Sequence, residues 1–121
     1  MGLFKIKIGI GFQKNGNLVF PEQVEALVDT GATYTTLPAE LLNKIGIKPV
    51  GNISVKLADG SVKEKQYGGV WLNINGLPIS ATILFGDKDD IVLVGATSLE
   101  QAGVVVDPVN KRLMKLQSIQ A

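Results

Sequence analysis

The chain has 121 residues, 45% of them apolar, with 12 basic against 11 acidic side chains for a formal charge of +1 and neither cysteine nor histidine. That length and apolar share suit one domain around one core, spanning residues 1–121, and the mixed charge offers no phosphate-binding stripe, so nucleic acid is not an expected partner. Without thiol or imidazole, disulfides, catalytic cysteines and the commonest general base and metal ligand are excluded, which leaves carboxylate, hydroxyl, amine or an oxygen-held cation for any chemistry.

No apolar run reaches the roughly 18 residues needed to cross a bilayer. The opening "MGLFKIKIGIGF" alternates charged with apolar residues where a signal peptide would carry one apolar block, so a cytoplasmic protein with no membrane partner is expected. Gly2 is followed by Ile6 where a myristoylation signal needs Ser or Thr, so no lipid anchor is expected either. Fourteen glycines and five prolines set among many Val and Ile residues favour strands and tight turns over long helices, a mainly β chain.

In chain order, residues 3–12 read as a strand, Asn15-Gly16 as a hairpin turn and "NLVF" as its return. A second strand at Val24 to Val28 delivers Asp29 at its end, so "DTGA" sits on a loop leaving a strand. "LPAELLNKIGI" follows as a short helix, with Pro38 at its first position, Glu40 near its N-terminus, Gly46 at its stop, and Leu41, Leu42 and Ile45 facing the core. "NISVKLADGSVKEKQYGGVWLNI" sets Asp59-Gly60 between two alternating segments, the pattern of a projecting hairpin. "VWLNI", an Asn75-Gly76 turn and "PISATILF" come next, then a polar loop at Gly86 to Asp90 and the apolar run "IVLVG". A short helix at Thr97 to Ala102 and two strands, "GVVVDP" and "RLMKL", around a Pro108 to Lys111 turn complete the reading. "ALVDTGA" and "VLVGATS" each lead from an apolar strand through small residues to a short helix, so the two halves are expected to be structurally related.

Asp29 has two readings. An Asp-Thr-Gly at a strand end is by itself most often a turn. This loop, however, adds a hydroxyl that donates and accepts at Thr30, a close-approach position at Gly31 and a small residue at Ala32, and the projecting hairpin lies some thirty residues downstream.

"LVDTGATYTTL", "VKLADGSVKEKQY" and "IVLVGATSL" together resemble, in order and spacing, the retroviral-type (retropepsin-like) aspartic proteases, over about residues 18 to 107. The resemblance implies a closed β-barrel-like protomer with one or two short helices, active as a homodimer, that hydrolyses peptide bonds in extended peptide or protein substrates without a cofactor or metal. Asp29 would be the catalytic carboxylate, with Thr30 bonding across the dimer and Gly31 offering its carbonyl to substrate. Ala32 would line the cleft, and Ala58, Asp59, Gly60 and Ser61 would form a flap over it. Retroviral enzymes carry an acidic residue after "DTGA" and an Arg after the later glycine; here those positions are Thr33 and Ala96. The alternative from another class is a catalytically weak or inactive dimerisation or peptide-binding module on the same fold.

Other polar residues have simpler readings. "GDKDD" lacks the ligand count and spacing of a calcium loop and is expected to be a solvated loop. Asp59 and Asp107 are turn formers, Tyr67 and Trp71 packing residues, and Ser61 and Ser98 have no partner that would activate a nucleophile.

Overall fold

The alternation that opens the chain builds one long hairpin in the computed structural model, which describes residues 2–118. Strands β1 (Gly2–Lys14) and β2 (Asn17–Asp29) pair antiparallel around Asn15-Gly16. Both turn residues are left-handed, with φ of 52° and 82°, as the two-residue turn requires. Sequence alone separates β2 into "NLVF" and Val24–Val28, whereas the structure runs them together. A bulge allows it: pairing slips between Ile10↔Glu22 and Phe12↔Val19, so Pro21, which has no N–H to donate, stays within the strand. Gly11 sits at the same slip, where a Cβ would lie 1.7 Å from the Val19 carbonyl oxygen.

Next come β3 (Thr35–Pro38) and α1 (Ala39–Lys44). Pro38 precedes the helix instead of starting it: with ψ of 127° it is still extended and paired to Gly86, so the helix begins one residue later. The stop matches expectation. Gly46 has φ of 83°, its N–H bonds the Asn43 carbonyl at 3.1 Å, and the Ile47 N–H bonds the Leu42 carbonyl at 2.9 Å. These two bonds form a Schellman closure. Leu42 is fully buried, with Leu41 and Ile45 packed against the core.

The remaining elements are β4 (Gly51–Lys56), β5 (Val62–Ile74), β6 (Leu77–Gly86), β7 (Leu93–Val94), α2 (Ala96–Gln101), β8 (Val104–Asp107) and β9 (Arg112–Lys115). The run "IVLVG" gives only two strand residues, because Val92 turns its carbonyl to the Leu27 N–H at 2.9 Å and Ile91 is 64% exposed. The second helix begins one residue earlier than the sequence suggests.

Seven strands are ordered β1-β2-β7-β3-β6-β5-β4, and β1 also pairs β5, so the sheet curls into a partly closed ring. The fold is mainly β, with two short helices, and is compatible with a retropepsin-like fold. Its halves exchange strands: β2 pairs parallel with β7 at Leu27↔Leu93 and Val28↔Val94, and β3 pairs parallel with β6 from Thr35↔Ile83 to Pro38↔Gly86. Ile8, Ile10, Val28, Leu37, Leu72, Ile74, Ile83 and Val94 fill the interior at 1% exposure or less. Each such side chain contributes about 1.5–3 kcal/mol on burial. β8 and β9 form a separate two-stranded sheet, with Val104, Val106 and Leu113 packed on the core. Among the described residues, no helix is long and apolar enough to cross a membrane.

Candidate active site

Alternation along β2 decides where the Asp29 carboxylate goes. Ala26 and Val28 are fully buried, so Leu27 and Asp29 lie on the opposite, half-buried face. Past the strand end the chain turns sharply, with the Ala32 N–H bonding the Asp29 carbonyl at 3.2 Å and the Gly31 N–H bonding Asp29 Oδ1 at 2.9 Å. Hydrogen bonding of this kind favours an ionised carboxylate.

The loop is bound from behind by the start of α2. The Ala96 N–H donates to the Ala32 carbonyl at 2.7 Å and the Thr97 N–H to the Thr33 carbonyl at 3.0 Å. Thr33 and Ala96, where the resemblance leads one to look for an acid–arginine pair, are thus joined to this contact through main chain. Gly95 makes the approach possible, since a Cβ there would lie 2.6 Å from the Tyr34 carbonyl carbon and oxygen. Beneath it, Thr35 and Ser98, 0% and 1% exposed, share a hydroxyl–hydroxyl bond of 2.7 Å, and the Gly95 N–H donates to Thr35 Oγ1 at 3.1 Å. Ser98, considered in the sequence only as a nucleophile, is a buried structural hydroxyl.

Asp29, Gly31 and Ala32 border a cleft of about 880 Å³, within the size range of ligand sites. Across it stand Ile53, Val55, Leu57 and Ala58 of the β4 arm, and Leu84, Ile91 and Leu93 add further apolar wall. Of the residues singled out from sequence, Asp29, Gly31, Ala32 and Ala58 border this space. Thr30 lies on the exposed loop, and Asp59, Gly60 and Ser61 form the exposed tip of the β4–β5 hairpin. At that tip the Leu57 N–H bonds the Ser61 carbonyl at 2.8 Å, the Gly60 N–H bonds the Leu57 carbonyl at 2.9 Å, and Gly60 has φ of 88°. Asp59 Oδ1 accepts both the Ser61 hydroxyl at 2.6 Å and the Ser61 N–H at 2.9 Å, which together hold its carboxyl below the usual carboxylate range. That geometry is a turn lock, in keeping with the turn reading of Asp59.

The "GDKDD" loop is solvated as expected, with Asp87, Lys88 and Asp89 exposed, but it also makes ion pairs the sequence did not suggest. Lys63 Nζ and Lys65 Nζ lie 3.1 and 3.2 Å from Asp87 Oδ2, and Lys65 also contacts Asp90 Oδ2. Lys65 is buried and needs anionic partners to be so. Among the described residues, no group of three or more potential ligands is placed to hold a metal ion. Lys65 and Asp90 border the cleft, and sequence reasoning missed both. A signal did exist for Ile53 and Val55, whose alternation in "NISVK" marks one face of the arm. None existed for Lys65, whose partners are 22 and 25 residues away.

The family model described as gag-polyprotein putative aspartyl protease matches residues 19–101, a span that includes the Asp29 loop, the hairpin and α2. A search of curated proteins finds no match.

Proposed function

The chain belongs to the gag-polyprotein aspartyl protease family, and from that premise we propose that it is an aspartic endopeptidase whose active form is a homodimer. The observation that carries this reading is Asp29, held at the strand end just after the buried Ala26 and Val28 and bordering a cleft with apolar walls. Amide hydrolysis by water needs one group to take a proton and another to polarise the carbonyl, and two carboxylates about 3 Å apart that share one proton do both. Asp-Thr-Gly occurs once in this sequence, so the second carboxylate is Asp29 of a second copy, related by a two-fold axis.

In the proposed cycle, the unprotonated carboxylate takes a proton from water as the water oxygen bonds to the substrate carbonyl carbon. The protonated carboxylate hands its proton to the carbonyl oxygen, which yields a neutral gem-diol. Collapse of the gem-diol breaks the C–N bond as a dyad proton passes to the leaving nitrogen, and a diol proton returns to the carboxylates. Thr30 would bond across the dimer to keep the loops in place. Gly31 would present its main chain to substrate, and the hairpin tip from Ala58 to Ser61 would close over it. Ile53, Leu84, Ile91 and Leu93 favour extended peptides with apolar side chains near the scissile bond.

The test is hydrolysis of unstructured apolar-rich peptides across about pH 3 to 7, with and without a statine-type transition-state analogue. Native protein should cut and be blocked by the analogue, and Asp29→Asn should lose about 10³-fold or more of the rate while staying folded. Folded dimers of native protein that cut no peptide would instead favour the peptide-binding module.

A further inference from the structure

Four ionised side chains meet where the β4–β5 hairpin leaves the body of the molecule. From Tyr67 onward β5 is paired to β6, but from Val62 to Gln66 its partner is β4 alone, so the two arms project together. Lys63 and Lys65 lie on one face of the projecting arm, two residues apart. Opposite them, the loop after β6 is closed on itself, with the Asp90 N–H bonding the Asp87 carbonyl at 3.0 Å and the Asp87 N–H bonding Asp90 Oδ2 at 2.7 Å. Asp87 Oδ2 thereby meets both lysines, and Asp90 Oδ2 meets Lys65. Three residues beyond Asp90 the chain enters β7, which pairs with Leu27 and Val28 immediately before Asp29. The ion cluster therefore joins the root of the hairpin to the strand beside the candidate catalytic residue.

Lys65 is 8% exposed. A buried ammonium is tolerated only with its counter-charges in place, so the arm is held in one position against the loop. We propose that Lys65, gripped by Asp87 and Asp90, is a positioning residue that sets the hairpin over the cleft and governs how readily the hairpin lifts. The part of this that concerns substrate rests on the protease reading; the tether itself does not.

The charged groups at this junction are Lys63 and Lys65 on the arm and Asp87 and Asp90 on the loop, with Lys88 and Asp89 beside them. Glu64 points to the other face, where it takes the Ser54 hydroxyl. Lys63 first and Lys65 second hold the Asp87 carboxyl below the usual carboxylate range. Burial pushes the Asp90 carboxyl up, but Lys65 and the Asp87 N–H outweigh it and carry it below that range. Burial likewise opposes the Lys65 charge, which Asp90 and Asp87 nonetheless hold above the usual lysine range. Carboxylates with depressed values contribute their full stabilisation above the ordinary carboxylate range and lose it as pH falls through the lowered values. The tether is thus complete in weak acid and releases in strong acid.

Amide hydrogen exchange on the full chain, corrected for intrinsic rates, tests the proposal. Lys65→Met should speed exchange in residues 51–66 by about tenfold while the β2 and β3 amides keep their protection. Asp90→Asn should do so to a smaller extent, and Lys65→Arg should recover most of the native protection. On any peptide the protein cleaves, Lys65→Met should change KM more than kcat. Unchanged hairpin protection in Lys65→Met, or a loss spread evenly over the whole fold, would overturn the proposal. Should Lys65→Met not fold, native protein decides the matter: its hairpin must lose protection before β2 as pH falls below the carboxylate range, and equal loss in both refutes the tether. A native protein that cuts nothing but shows selective exchange would sink the protease reading and leave the tether standing.

Discussion

Asp29 and the β4–β5 hairpin border the same cleft but are held in different ways. The loop after Asp29 is bound to α2 by two main-chain hydrogen bonds, a glycine contact and a buried hydroxyl pair, whereas the projecting arm has one paired strand and an ion cluster at its root. Main-chain bonds and close packing resist small displacements and do not depend on pH, whereas the ion cluster depends on its carboxylates staying charged and weakens in acid. On the proposed protease reading, the side that presents the carboxylate is the more tightly held one, and the side that admits substrate is the one held by fewer contacts.

The sharpest way to break that contrast is Gly95→Ala. With a Cβ 2.6 Å from the Tyr34 carbonyl, the loop and helix must separate, and denaturant unfolding should show a loss of about 3 kcal/mol. A loss well under 1 kcal/mol would mean the junction is not close-packed. Thr35→Val comes next: it keeps the shape but removes the acceptor for the Gly95 N–H and the partner of Ser98. It should cost about 2 kcal/mol, and Thr35→Ser should restore most of that.

On the other side of the comparison, Gly60→Ala strains a turn residue at φ of 88° by about 1 kcal/mol. Because the tip touches little else, hydrogen exchange should rise at residues 57–61 while the global midpoint barely moves. The finest distinction concerns Ala32. A hydroxyl in its place could donate to the Asp29 carboxylate and favour the charged form, so in the proposed homodimer the paired Asp29 carboxylates would give up their shared proton at lower pH. The upper limb of the pH–rate profile should therefore lie nearer neutrality in native protein than in Ala32→Ser; a limb that stays or rises in the variant removes the argument.

Much of the protein could be read one residue after another. The hairpin turns at Asn15-Gly16 and Asn75-Gly76 and the Gly46 helix stop have the left-handed backbone their residue types suggest. Asp59 and Asp107 accept main-chain N–H groups from their own turns. The apolar run that ends in Asp29, with the glycine and small residues after it, was visible for the same reason. The split of β2 between "NLVF" and Val24 did not hold because a bulge opposite Gly11 lets Pro21, with no N–H to donate, sit within one continuous strand. Ile91 misled because an apolar run suggests burial, and the chain had already turned outward toward the cleft.

Sequence by itself determined the local grammar of this chain: most of its strands, where they turn, and that a carboxylate ends an apolar strand segment in a loop of small residues. Those features depend on side-chain period and on backbone angles within a few residues. Tertiary structure alone decided that β2 lies parallel to β7, that Thr35 meets Ser98 across 63 positions, and that Lys65 is buried between Asp87 and Asp90. Such pairings depend on which faces the curled sheet brings together, and a polar side chain that is solvated in an extended chain becomes a structural one only when its opposite arrives.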